Sequence, residues 1–209
     1  MLNGLHGLDI AFLFISLVVG ITFHEMMHGR VAYWLGDTTA ADMGRLTLNP
    51  LASIDPFYTI VMPLLLLVTL HVPFFAAKPV PFNPSRVRWD EWGAALVGIA
   101  GPITNFVLAV LGAIIFRLVV HTGGNLVTFW YYFVLVNVGL MVFNMIPFPP
   151  LDGSRVVYAV APEPVRDVMA RIEGLGFTAI LLFILVIFQF IAPIVSTIDS
   201  TIIRWLIGV

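Results

Sequence analysis

His24, Glu25 and His28 stand in the order His-Glu-Met-Met-His, a spacing that suits metal chemistry. On an α-helix, residues i and i+4 share a face one turn apart, so both imidazoles can ligate one zinc ion. The glutamate beside the first ligand can then reach the water that a catalytic zinc ion activates. Such a site takes three protein ligands and keeps a position open for water. The chain has no cysteine, which excludes disulfides and thiolate sites and leaves His and carboxylate as donors. His6, His71 and His121 fall near the ends of apolar segments, where a lone histidine is an interfacial residue. Asp152 follows Asn144-Met145-Ile146-Pro147-Phe148-Pro149-Pro150-Leu151, in which three prolines break the preceding helix. Gly153 permits a tight turn. On this segment alone Asp152 reads equally as a turn-and-cap residue and as the third ligand.

The elements that must position these residues are membrane helices. Of 209 residues 60% are hydrophobic and 11% charged, with a mean hydropathy of +1.01. A soluble domain carries roughly 25% charged residues, so this surface cannot be coated in water. The length suits one domain over residues 1–209, an all-α polytopic transmembrane bundle. Apolar stretches near the roughly 20 residues of a spanning helix run from Leu8 to Leu35, Phe57 to Ala77, Trp92 to Val120, Leu126 to Pro147 and Gly174 to Val195. The first lacks the positive n-region of a signal peptide and is expected to be a permanent helix. Beyond Pro193 the tail is expected at an interface. Met43 to Leu48 alternates and is stopped by Asn49-Pro50, which predicts a short β-strand or half-hairpin near 43–50. The net charge of −2 and the absence of a basic run point away from nucleic acid. Glu25 lies inside an apolar helix, where an ionisable group costs at least about 2.5 kcal/mol unless paired or hydrated, so it is read as functional.

His-Glu-x-x-His in an early transmembrane helix, with a later Asn144-x-x-Pro147-x-x-Pro150-x-Asp152-Gly153, resembles the site-2 protease family of intramembrane metalloproteases. Ala100-Gly101-Pro102-Ile103-Thr104-Asn105 matches as well. Gly44-Arg45-Leu46-Thr47-Leu48-Asn49-Pro50 and Lys78-Pro79-Val80-Pro81 resemble its compact bacterial branch without a PDZ domain. The resemblance implies that His24, His28 and Asp152 bind one zinc ion (Zn2+) and that Glu25 is the catalytic base. It implies that Asn144 and Asn105 lie near the substrate or its oxyanion. It also implies transmembrane protein substrates in the lipid bilayer, within a bacterial cytoplasmic membrane. In one departure, Ser53 stands before Ile54-Asp55-Pro56 where that branch often has histidine.

Five full spans would put the ends of the first and fourth segments on opposite sides, keeping His28 and Asp152 apart. If Phe57–Ala77 instead enters and leaves on one side, the motifs converge; Pro63 and Pro73 suit such a re-entrant segment. Eight basic residues (Arg30, Arg45, Lys78, Arg86, Arg88, Arg155, Arg166, Arg171) then share a face, leaving Arg117 and Arg204 on the other. Five spans would divide them six and four. Because Lys and Arg favour cytoplasmic loops, an external N-terminus and an active site opening toward the cytoplasm are expected. The alternative from another class is a proton or metal-ion transporter using the His/Glu cluster, but the paired repeats common in transporters are absent from the sequence.

Overall fold

The structure is a computed structural model that describes residues 7–49 and 80–208. Four helices in it are long and apolar enough to cross a membrane. They are α1 (Gly7–Trp34), α3 (Asp90–Val119), α4 (Gly124–Asn144) and α7. The last consists of Phe177–Leu182, a π-helical stretch Phe183–Phe188, and Gln189–Ile207. Shorter helices α2 (Thr39–Asp42), α5 (Gly153–Val160) and α6 (Glu163–Gly174) cluster beyond one end of the bundle. Residues such as Leu118 and Phe190, 74% and 72% exposed, face outward. A large apolar exterior of this kind is stable against lipid tails.

Four contacts fix the helix directions. Gly20 lies against Asn105 and Asn137, His28 against Val97, and Phe12 against Phe129. Helix α3 therefore runs antiparallel to α1, and α4 runs parallel to it. Asp90 and Glu91 sit in the first turn of α3, where negative charge complements the helix dipole. Small residues on α3, among them Gly93, Ala94, Gly98 and Gly101, are buried and let the backbones approach closely. Ala109, Ala113, Phe116, Val134 and Val138 join Leu206 and Ile207 of α7 in the largest apolar cluster. At the far end of that cluster Arg117 donates to the carbonyls of Leu206 and Trp205 at 2.7 and 2.9 Å, satisfying the last turn of α7.

The ends of α1 and α4 thus lie at one end of the bundle, as the re-entrant expectation required. Leu35 and Arg88 are hydrogen bonded there, so the chain leaves α1 and enters α3 on the same side. The segment Phe57–Ala77 and Ser53 lie outside the described residues. Two expectations need correction. No strand forms among the described residues, including 43–49. The amide of Arg45 turns back to the Ala40 carbonyl and that of Asn49 to Thr47 Oγ1, so both are spent locally instead of on a ladder. The tail beyond Pro193 does not peel away to an interface. It continues α7 through that proline to Ile207 and packs its end against α3, because a membrane helix tolerates a proline where neighbours and side chains satisfy the backbone.

Candidate metal centre

Helix α1 delivers His24 and His28, both buried, on the face turned toward α3. Each ring is fixed from behind. His24 Nδ1 donates to Asn105 Oδ1 and His28 Nδ1 to the Val97 carbonyl, both at 2.6 Å. Because the Val97 carbonyl and the Asn105 amide oxygen can only accept, both Nδ1 atoms carry the proton, and in the neutral rings both Nε2 atoms present lone pairs. Those Nε2 atoms lie 2.9 Å apart.

Asp152 supplies the third donor. Helix α4 ends at Asn144, and the proline-containing turn brings the chain back beneath it. A side chain at Gly153 would overlap the carbonyls of Met145 and Ile146, so the turn closes this tightly only with glycine. Phe148 stacks on Phe183 of α7 at 4.8 Å between ring centroids, which holds the turn from outside. Asp152 occupies the N-cap position of α5 but makes no capping hydrogen bond. Its Oδ2 lies 3.1 Å from His24 Nε2 and 3.4 Å from His28 Nε2. It is buried and has no hydrogen-bond partner. Of the two readings of Asp152 left open by the sequence, the capping one finds no hydrogen bond here.

A buried carboxylate oxygen and two imidazole lone pairs aimed at one another would repel without a cation between them. Among the described residues this is the one group of three or more His, Cys, Asp or Glu side chains able to hold a metal ion, with donor atoms within 4.8 Å of one another. The donor set, two nitrogens and one oxygen, fits zinc and leaves a fourth position. Gly101 backs the site, since a Cβ there would stand 2.6 Å from His24 Nε2 and collide with both rings.

Glu25 takes a different partner. Its Oε2 accepts the amide hydrogen of Val80 at 2.8 Å. The segment carrying Val80 is anchored by Asp37, whose buried carboxylate accepts from the amides of Asn83 and Thr39 at 2.6 and 3.0 Å and from the Thr39 hydroxyl. Burial pushes the Asp37 carboxyl upward, but these hydrogen bonds and the charge of Arg86 outweigh it and hold it below the usual carboxylate range. Sequence reasoning passed over Asp37 as part of a polar loop. Asn144 is half-buried at the end of α4, its amide donating to the Leu140 carbonyl at 2.9 Å. Asn105 is completely buried, behind His24.

A bundle of membrane helices in which two buried histidines of the Glu-bearing helix meet an aspartate from the turn after α4 is the architecture of a membrane-embedded metalloprotease. The model of Peptidase family M50 matches residues 119–188, the stretch that holds Asn144 and Asp152. The chain is 36% identical to "Putative zinc metalloprotease YwhC" of Bacillus subtilis over 178 residues, 81% of this chain and 78% of that protein. Rip2 of Mycobacterium tuberculosis, named in the same words, is 26% identical over 90% of this chain and 70% of its own. MJ0611 of Methanocaldococcus jannaschii, also so named, is 28% identical over 68% of this chain and 69% of its own. No solved structure matches the chain at a significant level. The chain belongs to Peptidase family M50, the site-2 protease family, and is a zinc metalloprotease of the membrane.

Proposed function

We propose that this protein is an intramembrane endopeptidase that hydrolyses peptide bonds of transmembrane substrates in regulated intramembrane proteolysis. His24, His28 and Asp152 hold the zinc ion and Glu25 is the catalytic base. The observation that carries the reading is the convergence of three lone-pair donors inside a bundle of membrane helices. Zinc bound there supplies electrophilic activation, acidifying the attacking water and polarising the scissile carbonyl. Glu25 takes the proton as the water oxygen bonds to the carbonyl carbon, and returns it to the amine as the C–N bond breaks. The Val80 amide engages Oε2 of Glu25, so Oε1 is the oxygen that moves the proton. Asn144, at the end of α4 beside the turn that carries Asp152, is the substrate-facing amide. Asn105, enclosed behind His24, acts on the ligand.

The active site faces the cytoplasm in a bacterial cytoplasmic membrane. Arg30, Arg45, Arg86, Arg88, Arg155, Arg166 and Arg171 support this, since all belong to the end of the bundle where α1 and α4 finish, and positive residues favour the cytoplasmic side. The test uses detergent-purified protein and a transmembrane reporter substrate. Wild type should hold about one zinc per chain, as one donor set implies, and cleave in a chelator-sensitive manner. Glu25→Gln should keep zinc and lose cleavage, and Asp152→Ala should lose zinc. Full zinc content in Asp152→Ala would refute the ligand assignment, and cleavage by Glu25→Gln would refute the base.

A further inference from the structure

Asn137 lies at the middle of α4, completely buried, one layer behind the metal centre. An amide at that depth in an apolar helix is costly unless every polar atom is engaged. Its Nδ2 donates to the Phe133 carbonyl at 2.9 Å, and its Oδ1 accepts from Asn105 Nδ2 at 3.0 Å. Asn105 Oδ1 in turn accepts from His24 Nδ1.

Each link has one allowed polarity. The Phe133 carbonyl can only accept, so Asn137 must turn Nδ2 to it and Oδ1 to Asn105. Asn105 must answer with Nδ2, which leaves its oxygen for His24. His24 must then carry its proton on Nδ1 and keep its Nε2 lone pair for the metal centre. We infer that Asn137 is a positioning residue for zinc binding: oriented by a backbone carbonyl, it sets the Asn105 amide, which sets the tautomer of His24. The inference rests on the reading of His24 as a ligand.

The Gly20 carbonyl also accepts from Asn105 Nδ2, at 3.1 Å. That carbonyl already accepts the helical amide of His24, four residues on, so it is the weaker hold on Asn105. The close approach of α1 and α4 brings the relay into reach. A Cβ at Gly20 would stand 3.0 Å from Asn137 Oδ1 and 2.9 Å from Leu140 Cδ1.

The rival explanation is that Asn137 is only polar glue between membrane helices. Zinc dissociation constants measured by competition with a chromophoric chelator separate the two, together with the visible spectrum of the Co2+-substituted protein. Asn137→Leu should weaken zinc binding about tenfold or more, as loss of outer support for a ligand does, and shift the Co2+ bands. Asn137→Asp keeps the shape and an acceptor oxygen toward Asn105, and should bind as wild type does. In an Asn105→Asp background a carboxylate oxygen faces His24 in either orientation, so adding Asn137→Leu should cost nothing further. Equal losses in both backgrounds, or no loss in the wild-type background, overturn the relay. Asn137→Ala, with the same expected readings, replaces the leucine variant if that does not fold. His24→Ala distinguishes the two failures. Wild-type affinity in His24→Ala defeats the ligand assignment, whereas loss there with none in Asn137→Leu defeats only the relay.

Discussion

Gly101→Ala adds one methyl group to the wall of the metal centre, where a Cβ would overlap the facing edges of His24 and His28. Neither ring can retreat without breaking its Nδ1 hydrogen bond, to Asn105 in one case and to the Val97 carbonyl in the other. Each such bond contributes about 1 kcal/mol net. In the metal-free protein the rings can swing from the methyl group at a cost of about 2 kcal/mol. Zinc requires both Nε2 atoms back against it. Taking that return as about the same 2 kcal/mol gives roughly thirtyfold in zinc affinity at 1.4 kcal/mol per decade. Alanine also favours the helix by about 1 kcal/mol over glycine. That gain is common to the metal-free and metal-bound protein, so it appears in stability and leaves the affinity loss standing. The assay is a zinc dissociation constant by chelator competition on detergent-purified protein. Gly139→Ala on α4, where a Cβ would meet nothing within 4 Å, is the control and should bind as wild type. Wild-type affinity in Gly101→Ala would refute the argument that this glycine makes room for the two imidazoles.

Asp37→Ala should release the amides of Asn83 and Thr39 and, through that segment, loosen Val80 against Glu25. Hydrogen exchange should show lost protection over 80–87, and proteolysis should fall while zinc content holds. Because the Asp37 carboxyl is lowered in the folded state, its contribution is fully present above its unfolded pKa of about 3.9. It disappears as pH falls through the lowered folded value, so protection of the 80–87 amides should persist through mild acid and be lost only below that range. Arg117→Leu removes two donors from the last turn of α7 and should destabilise the bundle by about 1–3 kcal/mol without altering zinc affinity; loss of zinc there would contradict the separation of that end from the metal centre. Chelation should leave His24, His28 and Asp152 facing one another uncompensated. Thermal unfolding of wild type should then come at a lower temperature without zinc, and that shift should be much smaller in Asp152→Ala.

What the sequence disclosed follows from the range of each interaction. The two histidines are legible because their partnership is local, one helical turn, and needs no knowledge of the fold. The four apolar spans are legible because the membrane imposes their length. Asp152 is ambiguous in its own segment, since the same residues that build a metal-bearing turn build an ordinary helix stop. What its own segment cannot show is that its carboxylate lies 3.1 Å from a residue 128 positions away. The grip of Val80 on Glu25 spans 55 positions and uses a backbone amide, which leaves no mark on residue type. Asn137 did carry a signal, an amide inside an apolar run, by the same cost argument that singled out Glu25. The strand near 43–50 is the opposite case. Its alternation is real, but alternation specifies a strand only when a neighbouring edge takes up the amides, and here those of Arg45 and Asn49 are taken locally.

The arrangement also explains why the site can sit among membrane helices at all. Two imidazoles, a carboxylate and two side-chain amides within one apolar bundle would each be costly alone. Each imidazole N–H that points away from the metal centre leads to a backbone carbonyl: His28 at Val97, and His24 through Asn105 and Asn137 at Phe133. What remains unpaired points inward, two nitrogen lone pairs and one carboxylate oxygen. The outer hydrogen bonds thus do more than anchor three side chains. They concentrate the unsatisfied polarity of these side chains at one point, where a divalent cation can satisfy it.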